Sequence, residues 1–311
     1  MEHYVTLFDS LFLPQGLALH ASLERHAGAF KLWVLCMDEA VHEQLTRLAL
    51  PNCALLRLSE LETPELLGVK PGRGIGEYCW TVTPFTPRFV FAADPDVQRV
   101  TYIDADVWLR KSPAPLFAEL EASGAQVLIT DHGYAPENDQ SATTGQYCVQ
   151  FVTFTRQGET VRRWWEERCV EWCFARAEDG KFGDQKYLDD WPERFGGLVH
   201  VLQQQHLTLA PWNATRYPYS TAALYHFHGL RILPGRNIYF GPDYALPKPL
   251  VSYVYEPYVA DLRNALARIE SLGIPVRAQG RKLNWLQRLH RREQGIVKNL
   301  WRTHLLHSRT Y

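Results

Sequence analysis

The chain has 311 residues, 46% of them hydrophobic and 22% charged, with a formal net charge of −1. That balance excludes disordered, collagen-like and coiled-coil proteins, and the length supports a large buried core. No apolar run approaches the ~20 residues that cross a bilayer, and Met1-Glu2-His3 lacks the basic and apolar regions of a secretory leader, so a cytoplasmic protein is expected.

In chain order, short apolar runs alternate with amphipathic stretches. Tyr4 to Phe8 reads as a strand, Leu17 to His26 as a helix, Lys31 to Cys36 as a strand, Glu39 to Leu48 as a helix and Ala54 to Leu58 as a strand. The Gly/Pro-rich stretch Val69 to Gly76 reads as a loop. Val100 to Ile103 follows as a strand, Pro115 to Glu121 as a helix, Gln126 to Thr130 and Tyr147 to Phe154 as strands, and Glu159 to Phe174 as a Trp-rich helix. His132 to Gly145 is a long polar loop of the kind that forms lids or binding loops. This alternation predicts an α/β protein with an open, Rossmann-like, mostly parallel sheet covered by helices on both faces. Beyond Leu209 the composition turns aromatic and Pro-rich, and a helix over Tyr258 to Leu272 leads into the C-terminal tail. The expected division is a main domain over 1–250 and a helical extension over 251–311.

The six cysteines (36, 53, 79, 148, 169 and 173) contain no Cys-x-x-Cys pair, a pattern of reduced thiols rather than disulfides or a zinc site. Trp164, Trp165 and Trp172 recur at helical spacing and are read as core. Charge is unevenly spread. Residues 281–311 hold eight Lys and Arg against one acid, Glu293, and leave the remainder with 25 basic and 33 acidic side chains, a balance of −8. Trp285, Leu286, Leu289, Ile296, Val297, Leu300, Trp301 and Leu305 recur at roughly helical spacing in that tail, interrupted near Gly295. Such a helix can lie on an anionic lipid surface, making the protein peripheral at the inner face of the membrane; it can equally pack on the body with its basic face in water. Nucleic acid is not expected as a partner, since the acidic body repels phosphate.

The chemistry-bearing segment is Val100-Thr-Tyr-Ile-Asp104-Ala105-Asp106, a β-branched strand ending in two aspartates. In open α/β sheets ligands bind beyond the carboxyl ends of strands. Two carboxylates there suit a hard divalent cation that bridges protein to phosphate; solvated acids in a turn are the plain alternative. Phe182-Gly-Asp184-Gln185 places an acid and an amide at the start of a helix, either to meet a sugar or to cap the helix. Pro211-Trp212-Asn213 offers a ring and an amide to a sugar, or forms a turn with a buried Trp. Tyr225 to Arg231 alternates as a strand would, which sets His226 and His228 on one face, beside Gly229 and a diphosphate-compatible Arg231.

Taken in order, these segments resemble the metal-dependent nucleotide-sugar glycosyltransferases of the GT-A fold, above all glycosyltransferase family 8, the type of glycogenin and the bacterial lipooligosaccharide galactosyltransferases. The matching segments are Asp104/Asp106, Tyr147 to Gln150, Asp184-Gln185 with Leu188, Pro211 to Asn213, and His226 with Gly229, across about residues 1–235. The resemblance implies Mn²⁺ or Mg²⁺ on Asp104, Asp106 and His226, and a donor site of Thr6, Leu7, Phe8, Asp9, Asp104, Ala105, Asp106, Gly229 and Arg231. It implies Asp184 and Gln185 at the donor sugar and reacting carbon. Thr83 or Arg88 would touch the donor or merely begin a helix. The family's Asn falls on Cys148, its following Gly on Gln150, and the Lys after the His-x-x-Gly loop on Ile232, which implies an altered donor pocket.

The expected activity is transfer of a sugar from a nucleoside-diphosphate donor, a UDP-sugar favoured, to a glycan or lipid-linked glycan acceptor in bacterial surface-glycan assembly, with retention of configuration as in family 8. Two alternatives stand beside it. One is a catalytically silent nucleotide-sugar or glycan-binding module. The other is a sugar nucleotidyltransferase, whose Gly-rich phosphate loop with Arg and Lys is absent from Phe8 to Gly16.

Overall fold

The computed structural model describes residues 1–241 and 244–279 and the backbone of 305–306. β1 (Glu2–Phe8), β2 (Phe30–Cys36) and β3 (Cys53–Arg57) alternate with α1 (Leu13–His26) and α2 (Glu39–Leu48). The second helix illustrates the local logic. Asp38 accepts the Val41 N–H at 2.7 Å as its N-cap, Val41, Leu45 and Leu48 form its buried stripe, and Ala49 closes it in the left-handed region. Next come α3 (Ile75–Val82), α4 (Thr86–Ala93), β4 (Arg99–Ile103), β5 (Val107–Leu109), α5 (Ala114–Ser123), β6 (Val127–Asp131), β7 (Tyr147–Thr155), α6 (Glu159–Glu171) and β8 (Val199–Val201).

Seven strands form the main sheet in the order β3-β2-β1-β4-β7-β6-β8. β1 is parallel to β2 and β4, β2 to β3, and β6 to β8, whereas β7 runs antiparallel to both β4 and β6. Because side chains alternate along a strand, Tyr4, Phe8, Leu32, Val34 and Ile103 feed one apolar layer with α1, α2 and α5. Val5, Leu7, Trp33, Leu35, Val100 and Tyr102 feed the other with α4 and α6. The mostly parallel α/β architecture read from the sequence is present.

A second sheet, in the order β5-β10-β9, adds β9 (Thr208–Leu209) and β10 (Leu224–His226). β11 (Arg231–Leu233) and β12 (Asn237–Tyr239) follow as a hairpin. α7 (Glu256–Ser271) seals these strands, with Tyr258, Leu262 and Leu266 packed among Trp108, Tyr225 and Phe227. Asp261 accepts the Trp108 indole N–H at 2.7 Å, which pins β5 to this helix.

The structure departs from the sequence reading in several places. Residues 58–69 hold helices at Leu58–Leu61 and Pro64–Val69, which were not read beyond a strand end at Leu58, whereas α3 and α4 fall around Thr83 and Arg88, where a helix start was one of the two readings. Pro64 and Pro87 stand in the first turn of Pro64–Val69 and of α4, where a missing N–H costs nothing. The loop 132–145 contains two short turns of helix, Pro136–Asn138 and Ser141–Thr144. The Trp-rich helix ends at Glu171, because Trp172 turns extended. The strand read across 225–231 stops at His226, since Gly229 adopts a φ of +78°, a turn conformation closed to most side chains. Of the basic tail, all but Leu305–Leu306 lies outside the described residues; that pair joins β12 as a strand rather than a helix. No helix of the described residues is long and apolar enough to cross a membrane.

Trp165 and Trp172 are buried and Trp164 is half-buried. Trp165 stacks on Phe154, meets Trp191 edge-on and donates its indole N–H to the Asp184 carbonyl at 2.9 Å. Trp165→Ala is expected to cost about 3–5 kcal/mol, the range for truncating a large buried aromatic residue. Urea denaturation measures it, and a loss under about 1 kcal/mol would show that Trp165 is not the anchor between α6 and the Asp184 segment.

Candidate active site

The site forms where the chain leaves one sheet for the other. β4 ends at Ile103, but the Asp104 N–H still donates to the Gln150 carbonyl of β7 at 3.2 Å. The chain then reverses tightly, Val107 N–H to Asp104 carbonyl at 3.0 Å, and continues as β5 in the second sheet. Antiparallel pairing sets His226 of β10 opposite Val107, and the Phe227 N–H donates to the Asp106 carbonyl at 2.9 Å. One imidazole therefore faces both strand-end carboxylates. Its Nε2 lies 3.1 Å from Asp106 Oδ1 and 3.7 Å from Asp104 Oδ2.

Among the described residues, Asp104, Asp106 and His226 form a group whose ligand atoms all lie within 4.8 Å of one another. Two carboxylates and an imidazole are a donor set that accepts Mn²⁺ or Mg²⁺ and leaves positions for water or phosphate oxygens. The residues present therefore fit the cation that the resemblance implies. Burial pushes the Asp106 carboxyl up, but the His226 ring, with His228 and Arg231, overrides that and brings it down to about 2. Asp104 is raised by burial, which outweighs the His226 charge and the Tyr102 hydroxyl donating to Oδ1 at 2.8 Å. Burial works against the His226 cation, yet Asp106 carries its pKa well above the ordinary value.

Asp184 is 4% exposed and makes no side-chain capping bond to the 3-10 turn Gln185–Asp190. Burial first, then the charge of Asp104, raises its carboxyl well above the usual range. The carboxyl thus belongs to the Asp104 neighbourhood. Gln185 donates its side-chain amide to the Thr144 carbonyl at 2.7 Å, tying the 141–144 segment to the site.

At the end of β1, Thr6, Leu7 and Phe8 are buried, and the Phe8 ring covers Gly16 so closely that a Cβ there would sit 2.4 Å from it. Asp9 Oδ1 accepts the N–H groups of Leu11 and Phe12 at 3.0 and 3.3 Å, which turns the chain into α1. Ala105 is buried between the two acids. The Arg231 guanidinium lies 5.9 Å from the Phe12 ring centroid, and its charge reaches Asp106.

Trp212 and Asn213 form the buried turn rather than a sugar platform. Asn213 is 0% exposed, with its Oδ1 on the Ala210 N–H and its amide on the carbonyls of His132 and Thr208. The Trp212 indole donates to the His132 carbonyl, and its ring meets His226 and His228 edge-on. Thr83 is buried with its hydroxyl on the Cys79 carbonyl, and Arg88 pairs with Glu166 at 3.7 Å.

Three contributions escaped the sequence reading, although Gln150 was named there as an altered donor-pocket position. Tyr102, two residues before Asp104 and hence on the same face, could have been found from strand alternation. Gln150 reaches His226 with its side chain, and Arg277 donates to the Ser10 hydroxyl at 2.8 Å; both need tertiary contacts to be seen.

His132 is a buried base behind this site, stacked on Tyr134 at 4.7 Å. Burial lowers its pKa from 6.5 to about 3. Between those values the unfolded chain takes up a proton that the folded chain refuses, so this contribution is complete above about pH 6.5 and fades as pH falls, by up to about 1.4 kcal/mol per unit. His132→Phe is expected to flatten stability against pH between about 6.5 and 5. Parallel slopes for variant and wild type in urea titrations would remove His132 as the cause.

No family model matches the chain. Two Bacillus subtilis (strain 168) proteins, the uncharacterized YfnD and YfnF, are each 28% identical to it, over 286 and 288 residues, which is 86% of this chain in both cases and 91% and 94% of theirs. Among solved structures, the galactosyltransferase LgtC in complex with donor and acceptor sugar analogs superposes with a TM-score of 0.52 at 16% identity, over 84% of this chain and 95% of LgtC. The glycosyltransferase GlyE of Streptococcus pneumoniae TIGR4 gives 0.50 at 16% identity, over 89% of this chain and 66% of GlyE. The seven-stranded sheet with its strand-end acids therefore has the fold of a GT-A type glycosyltransferase.

Proposed function

We propose that this protein is a metal-dependent glycosyltransferase of family 8 type, moving a sugar from a nucleoside-diphosphate donor, with a UDP-sugar as first candidate, to a glycan or lipid-linked glycan hydroxyl. The observation that carries this reading is the convergence of Asp104, Asp106 and His226 at the carboxyl edge of a GT-A sheet. LgtC, which shares that fold, is described with donor and acceptor sugar analogs.

In this reading Asp104, Asp106 and His226 hold Mn²⁺ or Mg²⁺, which when bound neutralises charge on a departing diphosphate. Arg231 suits a second set of phosphate oxygens, because its planar guanidinium offers paired donors. Gly229 lets the backbone approach them without a side chain in the way. Asp184 supplies a carboxyl next to Asp104; with a divalent cation offsetting the Asp104 charge that helps to hold its proton, the ionised form is suited to steady positive charge that develops on the sugar ring. Gln185 holds the Ser141–Thr144 segment beside the Asp184–Gln185 turn through the Thr144 carbonyl, a placement suited to restricting water. Retention of configuration, a bacterial surface-glycan acceptor, and membrane contact through 281–311 at the inner membrane face belong to the same proposal.

The test is thermal unfolding against a panel of nucleotide sugars with and without Mn²⁺. A bound donor at 100 times its Kd should stabilise the protein by about 2.7 kcal/mol, only with the metal present, and should release nucleoside diphosphate slowly without acceptor. Metal-dependent binding without any turnover would replace the enzyme with a silent binding module. No response to any donor would overturn the reading.

A further inference from the structure

A glutamine lies behind the imidazole of this site. Gln150 sits on β7 and is 0% exposed. Its side-chain Oε1 lies 3.1 Å from His226 Nδ1, and its backbone carbonyl accepts the Asp104 N–H at 3.2 Å. A single residue thus touches two of the three residues that face the candidate cation. Its amide Nε2 is buried and has no hydrogen-bond partner among the described residues. The contact with His226 is therefore the hydrogen bond that this side chain is placed to make. Resting on the reading of Asp104, Asp106 and His226 as a cation site, we infer that Gln150 is a positioning residue that selects the His226 tautomer.

An amide oxygen can only accept, so it keeps the proton on Nδ1; the proton that a cation would displace is then the one on Nε2, and the Nε2 lone pair freed in that way would meet the cation between Asp104 and Asp106. A reversed amide would present N–H to Nδ1, place the proton on Nε2 and aim it into the space between the carboxylates, against any cation. Carboxylates and carbonyls behind a ligating histidine commonly set both ring orientation and tautomer in this manner. The Cys148 thiol is the competing neighbour, since it too lies in hydrogen-bonding reach of His226. A thiol is a weak acceptor and a weak donor and enforces neither tautomer.

The experiment uses the full chain. Long-range ¹H–¹⁵N spectra of the wild-type protein loaded with Mg²⁺ should show His226 protonated at Nδ1. Mn²⁺ affinity, read by electron paramagnetic resonance of the free ion, should fall about 10- to 100-fold in Gln150→Leu. Gln150→Glu, which keeps the acceptor, should restore it to within a few-fold of wild type, and Cys148→Ala should leave it unchanged. An Nε2–H tautomer in the wild type, wild-type affinity in Gln150→Leu, or a loss that follows Cys148→Ala instead would overturn this inference alone. Absence of Mn²⁺ binding by the wild type would overturn it together with the cation site, so the two failures are told apart. The wild-type spectrum stands even where a variant does not fold.

Discussion

Replacing Asp106 by alanine is expected to abolish Mn²⁺-dependent thermal stabilisation and to lower turnover by about 10²- to 10³-fold, the scale set by loss of one electrostatic element of an active site. Asp106 is the carboxylate nearest His226, and at a pKa of about 2 it stays ionised at any working pH. Without it, the imidazole keeps only Asp104, at 3.7 Å. The metal-free variant should also be less stable. A carboxyl whose folded pKa lies below its unfolded value of 3.8 stabilises the fold above that value and loses the contribution as pH falls through the folded pKa. The difference is about 2 kcal/mol at neutral pH, small enough for the variant to remain folded. Calorimetric Mn²⁺ titration beside metal-free unfolding checks both parts. A variant that binds Mn²⁺ as the wild type does would remove Asp106 from the site.

Asp184→Asn should move stability and activity in opposite directions. The buried carboxyl is raised by burial and by Asp104, so the folded chain holds a proton that the unfolded chain releases above 3.8. Stability from this group is complete below that value and declines as pH rises toward the folded pKa. The asparagine carries no such penalty. The metal-free variant is expected to be more stable than wild type near neutrality, with the gap widening as pH rises above about 4. Turnover should fall by about 10²-fold or more, with nucleotide affinity little changed, because the lost carboxyl acts on the transition state rather than on the diphosphate. Denaturation at several pH values and steady-state kinetics read the two effects. A variant that is both less stable and fully active would show Asp184 to be a structural acid.

Particular residues show how much was legible in the chain. The strand Val100 to Ile103 with its two terminal acids is a local pattern, and the helix Glu39–Leu48 was readable at both ends from its cap and apolar stripe. Asp184 illustrates a local ambiguity: as a helix cap or a buried acid it looks the same in one dimension, and only burial beside Asp104 separates the two. Asn213 matches a sugar-binding pattern, but it is fully buried, with both amide N–H groups on the carbonyls of His132 and Thr208 and its oxygen on the Ala210 N–H. The helix Pro64–Val69 was not read because a proline acts as a breaker inside a helix and as a starter at its first position, and composition does not tell those places apart.

The amino-acid sequence by itself determined the alternation of strands and helices and the acids at the end of β4, since each depends on neighbours within a few positions. Tertiary structure decided the rest of the site. His226 meets Asp106 because β10 lies antiparallel on β5 in one register, with Gln150 approaching from a third strand. A one-residue slip in that pairing would turn the imidazole to the opposite face, and such register is set by long-range packing rather than by local preference.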